Sequence, residues 1–327
     1  MKSMYKILYK TIFSKIEPEK MHKISLLAIK YFSPLFFAKK PRKSTYFFGK
    51  EVVNPIGIAA GFDKNGEAIK GLFNLGFGFV EIGTVTPKPQ IGNPKPRIFR
   101  VGNRDGIINK MGFPNKGSDV ILQNLKRFNR HKKPWQIVGV NIGRNKDGNE
   151  EDYTFLIEKF IQEADYITIN ISSPNTAGLR NLLEEKPLSD FLLKIKIKRN
   201  SLATKKPFFL KISPDIEIND LKFIYRLIVE NEIEGIIISN TTVSRPPENL
   251  ENINQTGGLS GKFLKEKSFT LLQEFNKINE KKIYVISVGG IETSEDVFLR
   301  LQNGANLVQI YTSLAFEGPN LLNKLIN

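Results

Sequence analysis

The 327-residue chain contains no cysteine, and that absence removes disulfides, thiolate metal sites and cysteine nucleophiles together. Histidine is almost as scarce: His22 and His131 lie too far apart in sequence to suggest a metal pair, so no metal site is expected. No run approaches the roughly 18 apolar residues of a membrane span. Lys2, Lys6, Lys10 and Lys15 also interrupt any signal-peptide apolar region. A Gly-rich dinucleotide fingerprint is missing as well, since the turn after the first candidate strand reads "AAGFDKNG", with the wrong spacing.

What is present is positive charge. The chain carries 49 Lys+Arg against 33 Asp+Glu, a net charge of +16. Residues 1–50 hold twelve of those bases and only Glu17 and Glu19 as acids, which leaves ten of the sixteen net charges at the N-terminus. A biased overall composition would spread along the chain. This charge is local, and it points to an acidic partner for the N-terminal segment.

After about residue 50, short β-branched runs alternate with amphipathic stretches. Eight candidate strands can be read: 52–60, 79–85, 137–143, 166–172, 208–213, 235–242, 283–290 and 307–313. Their nearly continuous Val/Ile content suits parallel strands buried on both faces. Helical stretches follow most of them, at 64–75, 151–163, 217–231 and 294–303. Eight such units predict an α/β fold of the (β/α)8 barrel type, with the working face at the carboxyl ends of the strands. The polar strings "GFDKNG", "GTVTPKP", "NIGRNK", "NISSPNT", "KISPD", "SNTT", "VGGI" and "YTS" all fall there. Two long excursions interrupt the repeat: 86–136, with a hairpin expected around Asp105-Gly106, and 243–262.

The first fifty residues stand outside this pattern. Met21, Ile24, Ala28, Tyr31 and Leu35 recur at helical spacing after Pro18, and Tyr5, Leu8 and Ile12 do the same earlier. With the basic string "FFAKKPRK" behind them, these helices fit an interfacial membrane module or a helical pair packed on the barrel. The expected division is 1–45 for this extension and 46–327 for the barrel.

Two kinds of ligand group are suggested at the strand ends. Gly289-Gly290 and "YTS" follow strands seven and eight, and "GGLSG" precedes the helix after strand six, where barrels commonly bind phosphate. Asn109, Asn141, Asn170, Asn175 and Asn240 cluster at or near the same face, and their amides suit a flat imide or pyrimidine edge. Lys211 lies inside the apolar strand "FFLKIS", where an unpaired ammonium costs several kcal/mol unless an anion or polar ring faces it. An edge strand reaching solvent is the alternative for that lysine.

The strings "GIAAGFDKNGEAI", "EIGTVTPKPQIGNPKPRIFR", "INKMGFPN", "NISSPNTAGLR", "QTGGLSG" and "VQIY" resemble, in order and over essentially the whole chain, the flavin-dependent dihydroorotate dehydrogenases. The likeness is to the quinone-reducing, membrane-associated class 2. It implies oxidation of dihydroorotate to orotate in pyrimidine synthesis, with one FMN per chain and quinone as acceptor. It further implies that Ser173 removes the C5 proton while the C6 hydrogen leaves as hydride, with Thr176 and Phe113 at the relay positions. The related cytosolic class uses cysteine at this step, which this chain lacks.

Other roles carried by the resemblance are substrate binding by Lys64, Asn109, Met111, Gly112, Phe113, Asn170, Asn175, Asn240 and Thr241. Ala60, Gly61, Lys64, Thr84, Asn141, Asn170, Lys211 and Ser239 match flavin-contacting positions, and Gly261, Gly290, Tyr311 and Thr312 match its phosphate end. Ser239 replaces a more usual threonine, and Pro114 after "MGF" is also a departure. His22 stands where the family keeps a histidine near the quinone. The implied partners are dihydroorotate, membrane quinone and an anionic lipid surface, with no nucleic acid, for a monomer peripheral to the cytoplasmic face of the membrane. A barrel flavoenzyme acting on dihydropyrimidines in RNA and a non-catalytic phosphate or membrane adaptor are the competing readings.

Overall fold

The computed structural model describes residues 2–35, 44–176, 178–202 and 204–326. The string "FFAKKPRK" lies outside the described residues. Eight parallel strands close into a barrel in chain order: Ile56–Ile58, Phe79–Val85, Ile137–Ile142, Tyr166–Asn170, Phe208–Ile212, Gly235–Ile238, Tyr284–Val288 and Leu307–Ile310. Every expected strand is found. Most are shorter than read, because their last residues turn outward as site loops.

The barrel interior is filled by pairing size against space across neighbouring strands. Gly57, Gly139 and Gly235 lie beneath the rings of Phe79, Tyr166 and Phe209, so that a Cβ at any of the three would enter a ring. Phe47, on a small hairpin of strands Thr45–Phe47 and Lys50–Val52, plugs the base and packs against Tyr166, Phe209 and Tyr284. Val52 belongs to this plug rather than to the first barrel strand.

Three local readings need correction. The helix expected from 64 begins at Ile69, because the buried Asp63 carboxylate accepts the N–H groups of Glu67 (2.9 Å) and Ala68 (2.7 Å) and holds 64–68 as a loop. The hairpin over the excursion pairs Ile98–Val101 with Gly106–Asn109, but Val101 faces Gly106, so the turn is residues 102–105 rather than a tight Asp-Gly. Gly102 and Arg104 take positive φ there. Arg104 is drawn out of the turn towards the Phe316 carbonyl (2.6 Å) and Glu317 (2.7 Å). Finally, Gly258–Gly261 is a third antiparallel strand on that hairpin, ahead of the helix Lys265–Ile278.

The N-terminal helices Lys2–Thr11 and Pro18–Phe32 pack on one rim of the barrel. Pro18 opens the second helix, and the Glu17 carboxylate caps it through the N–H groups of Glu19 and Lys20. Gly71 lets the helix Ile69–Asn74 come so close that a Cβ there would strike the Ile29 carbonyl. Arg97 and Glu19 form a buried bidentate pair (3.0 and 2.8 Å), and Arg100 donates to the carbonyls of Phe13, Ser14 and Ile16. The expected apolar stripe divides: Met21, Ile24 and Ala28 line a cavity, whereas Tyr31 and Leu35 are exposed.

Candidate active site

A cavity of about 530 Å³ opens at the carboxyl ends of the strands and continues between the barrel and the N-terminal helices. That size lies within the ~300–1,000 Å³ of cofactor and small-molecule sites. Strand register decides what meets there. Asn170 and Lys211 are direct neighbours on the fourth and fifth strands, and Ser173 follows three residues beyond Asn170. All three border the cavity and are nearly buried, so Lys211 is not an edge-strand lysine. Burial lowers the Lys211 pKa, and the charge of Glu81 opposes that shift.

A chain of side-chain hydrogen bonds crosses the floor. Thr84 donates to Asn141 Oδ1 (2.7 Å), Asn170 Nδ2 donates to both Thr84 Oγ1 (3.0 Å) and Asn141 Oδ1 (3.1 Å), and Asn240 Nδ2 reaches Asn170 Oδ1 (3.3 Å) and Ser172 Oγ (3.1 Å). Asn141 itself does not border the cavity; it lies under Thr84 and Asn170 and donates to Glu81 Oε1 (2.8 Å). Non-proline cis peptides precede Thr84 and Ser239, both on the cavity wall.

Above the floor, Asn175 Nδ2 donates to Asn109 Oδ1 (3.1 Å), joining the fourth strand's loop to the hairpin. The Asn175 N–H meets Ser173 Oγ at 3.3 Å. Thr241 borders the cavity beside Asn240, whose Oδ1 accepts its N–H (2.8 Å). Met111, Gly112 and Phe113 form the opposite wall; Phe113 holds φ +51 before Pro114. That backbone region is costly for a bulky residue. Asn115 Nδ2 donates to the Phe113 carbonyl (2.8 Å), which helps hold the turn. Thr176 does not border the cavity, and its hydroxyl has no hydrogen-bond partner among the described residues.

Lys64 enters from the first loop beside Ala60 and Gly61, donating to the Gly61 carbonyl (2.6 Å), and burial depresses its pKa to about 8. Tyr311 OH reaches the same carbonyl (3.3 Å). His22 closes this side, edge-on to Phe62 (5.1 Å) and stacked on Tyr311 (6.5 Å). Burial, with the Lys64 charge next, pushes the His22 pKa down to about 3, so the ring is neutral. At the far end Gly261, Gly290 and Thr312 border the cavity, and Ser260 and Thr312 hydroxyls share a 2.8 Å bond.

Some contributors were not singled out in the sequence. Glu81 is an acid inside an apolar strand; it accepts from Tyr166 (3.0 Å) and Gln309 (2.8 Å) besides Asn141. Arg180 and Asp215 pair at 3.0 Å, and Arg180 also donates to the carbonyls of Ser172 (3.3 Å) and Thr241 (3.2 Å), clamping two site loops. Lys211 could have pointed to Glu81, since a buried cation calls for a nearby acid. The Arg180–Asp215 pair spans 35 residues and shows no pattern.

A closed parallel barrel whose deep, largely apolar cavity carries a buried lysine among amides at its inner end and an annex of two helices at its outer end belongs to the class of barrel enzymes with the site at the carboxyl ends of the strands. Its relatives agree. The family profile for dihydroorotate dehydrogenase matches residues 43–327. A Coxiella burnetii protein named dihydroorotate dehydrogenase (quinone) is 42% identical over 99% of this chain and 96% of its own length. One from Mesorhizobium japonicum is 42% identical over 95% of this chain and 87% of its own. The crystal structure of the Eimeria tenella DHODH in complex with ferulenol superposes with a TM-score of 0.87 at 36% identity, covering 94% of this chain and 89% of that one. The chain belongs to the dihydroorotate dehydrogenase family, in its quinone-dependent class, which implies a flavin and a quinone acceptor.

Proposed function

We propose that this cavity holds FMN against Lys211 and dihydroorotate against the asparagines, and that Ser173 acts as the base. The chain is an oxidoreductase that converts dihydroorotate to orotate in pyrimidine biosynthesis with quinone as acceptor. The observation that carries the finer reading is the convergence of Ser173, Lys211 and five amides on one cavity and its floor. The donor set fits a flavin: a buried ammonium suits an edge that becomes negative, and the floor amides suit an imide.

When bound, FMN supplies a two-electron acceptor for the hydride at C6. Ser173 Oγ would take the C5 proton and release its own hydroxyl proton to water, and the Asn175 N–H at 3.3 Å orients this oxygen. Thr176 and the Phe113 wall stand at the relay positions, and because the Thr176 hydroxyl meets no partner among the described residues, a proton from Ser173 would reach it only through water. Lys64 offers a positive charge to the substrate carboxylate, and Asn109, Asn170, Asn175, Asn240 and Thr241 orient its ring. Lys211 stabilises negative charge on the acceptor. Ala60, Gly61, Thr84, Asn141 and Ser239 hold or support the flavin ring; Gly261, Gly290, Tyr311 and Thr312 hold its phosphate. Ser239 retains the hydroxyl of the usual threonine.

Residues 1–45 form the quinone and membrane module in this proposal, and 46–327 the catalytic barrel. No helix among the described residues is long and apolar enough to cross a membrane. Exposed Ile7, Ile12, Leu27, Phe32 and Leu35 would instead rest on an anionic lipid surface at the cytoplasmic face, with quinone entering past His22. The test is the visible spectrum of the purified protein: a flavin band that bleaches anaerobically on adding dihydroorotate and recovers with a ubiquinone analogue is expected. Recovery only with fumarate or NAD would overturn the quinone assignment.

A further inference from the structure

Arg300 lies on the helix Ser294–Gln302 with 2% of its surface exposed. Its Nη2 donates to the carbonyls of Lys265 and Gly289 and to Ser268 Oγ, each at 2.9 Å, and Nη1 to Ser287 Oγ at 3.2 Å. None of these acceptors is a carboxylate. Of the nearby acids, Asp296 is ion-paired with Lys265 (2.6 Å) and Glu266 is exposed. Burial lowers the guanidinium pKa to about 10, still charged at neutral pH. Burying a cation without a carboxylate partner is expensive, and such a charge calls for an anion nearby.

The loop it grips borders the cavity. Gly289 and Gly290 take φ of +119° and +67°, and the backbone N–H groups of Gly290 and Ile291 make no hydrogen bond among the described residues. Consecutive free N–H groups on such a backbone form an anion-binding concavity. Gly290 also presses on the first residue of the helix Lys265–Ile278, where a Cβ would strike the Lys265 backbone. Glu292, next along, also borders the cavity, and burial and then Asp296 push its carboxyl pKa up.

We propose that Arg300 is a positioning residue for the flavin phosphate: it pins the Lys265 and Gly289 carbonyls from behind, fixing the loop N–H groups towards the anion, and places a buried charge that the phosphate offsets. This rests on FMN being the resident flavin. The test is the affinity of the flavin-stripped full chain for FMN and for riboflavin, which lacks the phosphate, by flavin fluorescence quenching. Wild type should prefer FMN. Arg300→Gln, or Arg300→Met if the glutamine variant does not fold, should cut that preference about tenfold or more while leaving riboflavin binding nearly unchanged. Arg300→Lys should keep the preference within about threefold, because its charge remains. Equal losses for both flavins, or an unchanged preference in the neutral variant, would overturn the role of Arg300 and leave the FMN reading standing. A wild type that does not distinguish FMN from riboflavin would overturn that reading itself.

Discussion

Ser173, Lys211 and Lys64 sit in surroundings that set their chemistry, and each supports a measurement. Replacing Ser173 with Ala should lower the rate of flavin reduction by dihydroorotate roughly a hundred- to ten-thousandfold, the usual worth of general-base help. The flavin spectrum should stay intact; rapid-mixing reduction traces at wild-type speed would remove Ser173 from the role of base. Because burial holds Lys64 near a pKa of 8, its charge fades as pH rises through that value. Orotate affinity, read from the perturbed flavin spectrum, should therefore weaken above about pH 8, and in Lys64→Met this dependence should vanish. His22 works in the opposite pH range. Its imidazole titrates near 3 when folded against 6.5 as the ordinary value, so between those values the unfolded chain binds the extra proton. That contribution to stability is complete above 6.5 and is lost as pH falls towards 3. In His22→Phe, urea midpoints at pH 5 and pH 7 should differ less than in wild type.

At the scale of elements, the N-terminal helices are held by ion pairing, by Arg100 on the carbonyls between them and by close packing at Gly71. The Glu19–Arg97 pair is buried on both sides. Burial pushes the Glu19 carboxyl up, but the bond and charge of Arg97, then Lys95 and Lys23, outweigh it and hold the pKa below the usual range. Glu19→Gln leaves Arg97 without its counter-charge and should cost about 3 kcal/mol, seen as proteolysis within 2–35 at lower urea than in wild type. Dihydroorotate should still reduce the flavin, while the KM for quinone rises. Gly71→Ala should have a similar effect by driving the helix Pro18–Phe32 away from the barrel. The strands were legible in the sequence because burial on both faces leaves a continuous apolar run. The start at Ile69 was not, because it depends on the Asp63 carboxylate capturing two N–H groups. Strand Gly258–Gly261 was hidden for another reason: its partner Gly106–Asn109 lies about 150 residues away, and four residues rich in glycine carry no periodicity.

For the molecule as a whole, the cavity joins two halves with different tasks. Its inner part is amides and lysines, while its outer part is walled by Leu8, Met21, Ile24 and Ala28 of the helices. The apolar residues exposed beyond that wall include Leu27 and Leu35. Replacing both with Glu should reduce co-sedimentation with vesicles containing anionic lipid and slow turnover with a membrane quinone, without changing anaerobic reduction by dihydroorotate. Equal sedimentation of variant and wild type would argue against this face as the lipid surface. The sequence by itself determined the eightfold repeat, the basic extension, the missing cysteine base and most of the polar residues on the cavity wall, because short polar strings at strand ends are local features of the chain. Only the tertiary structure decided that Asn141 supports the site from beneath, that Glu81 lies below Lys211, that Arg180 and Asp215 clamp two loops, and that Arg300 stands behind the glycines. Those relations depend on strand register and loop closure across tens to hundreds of residues, and a buried charge acquires its meaning only from the neighbours that folding brings to it.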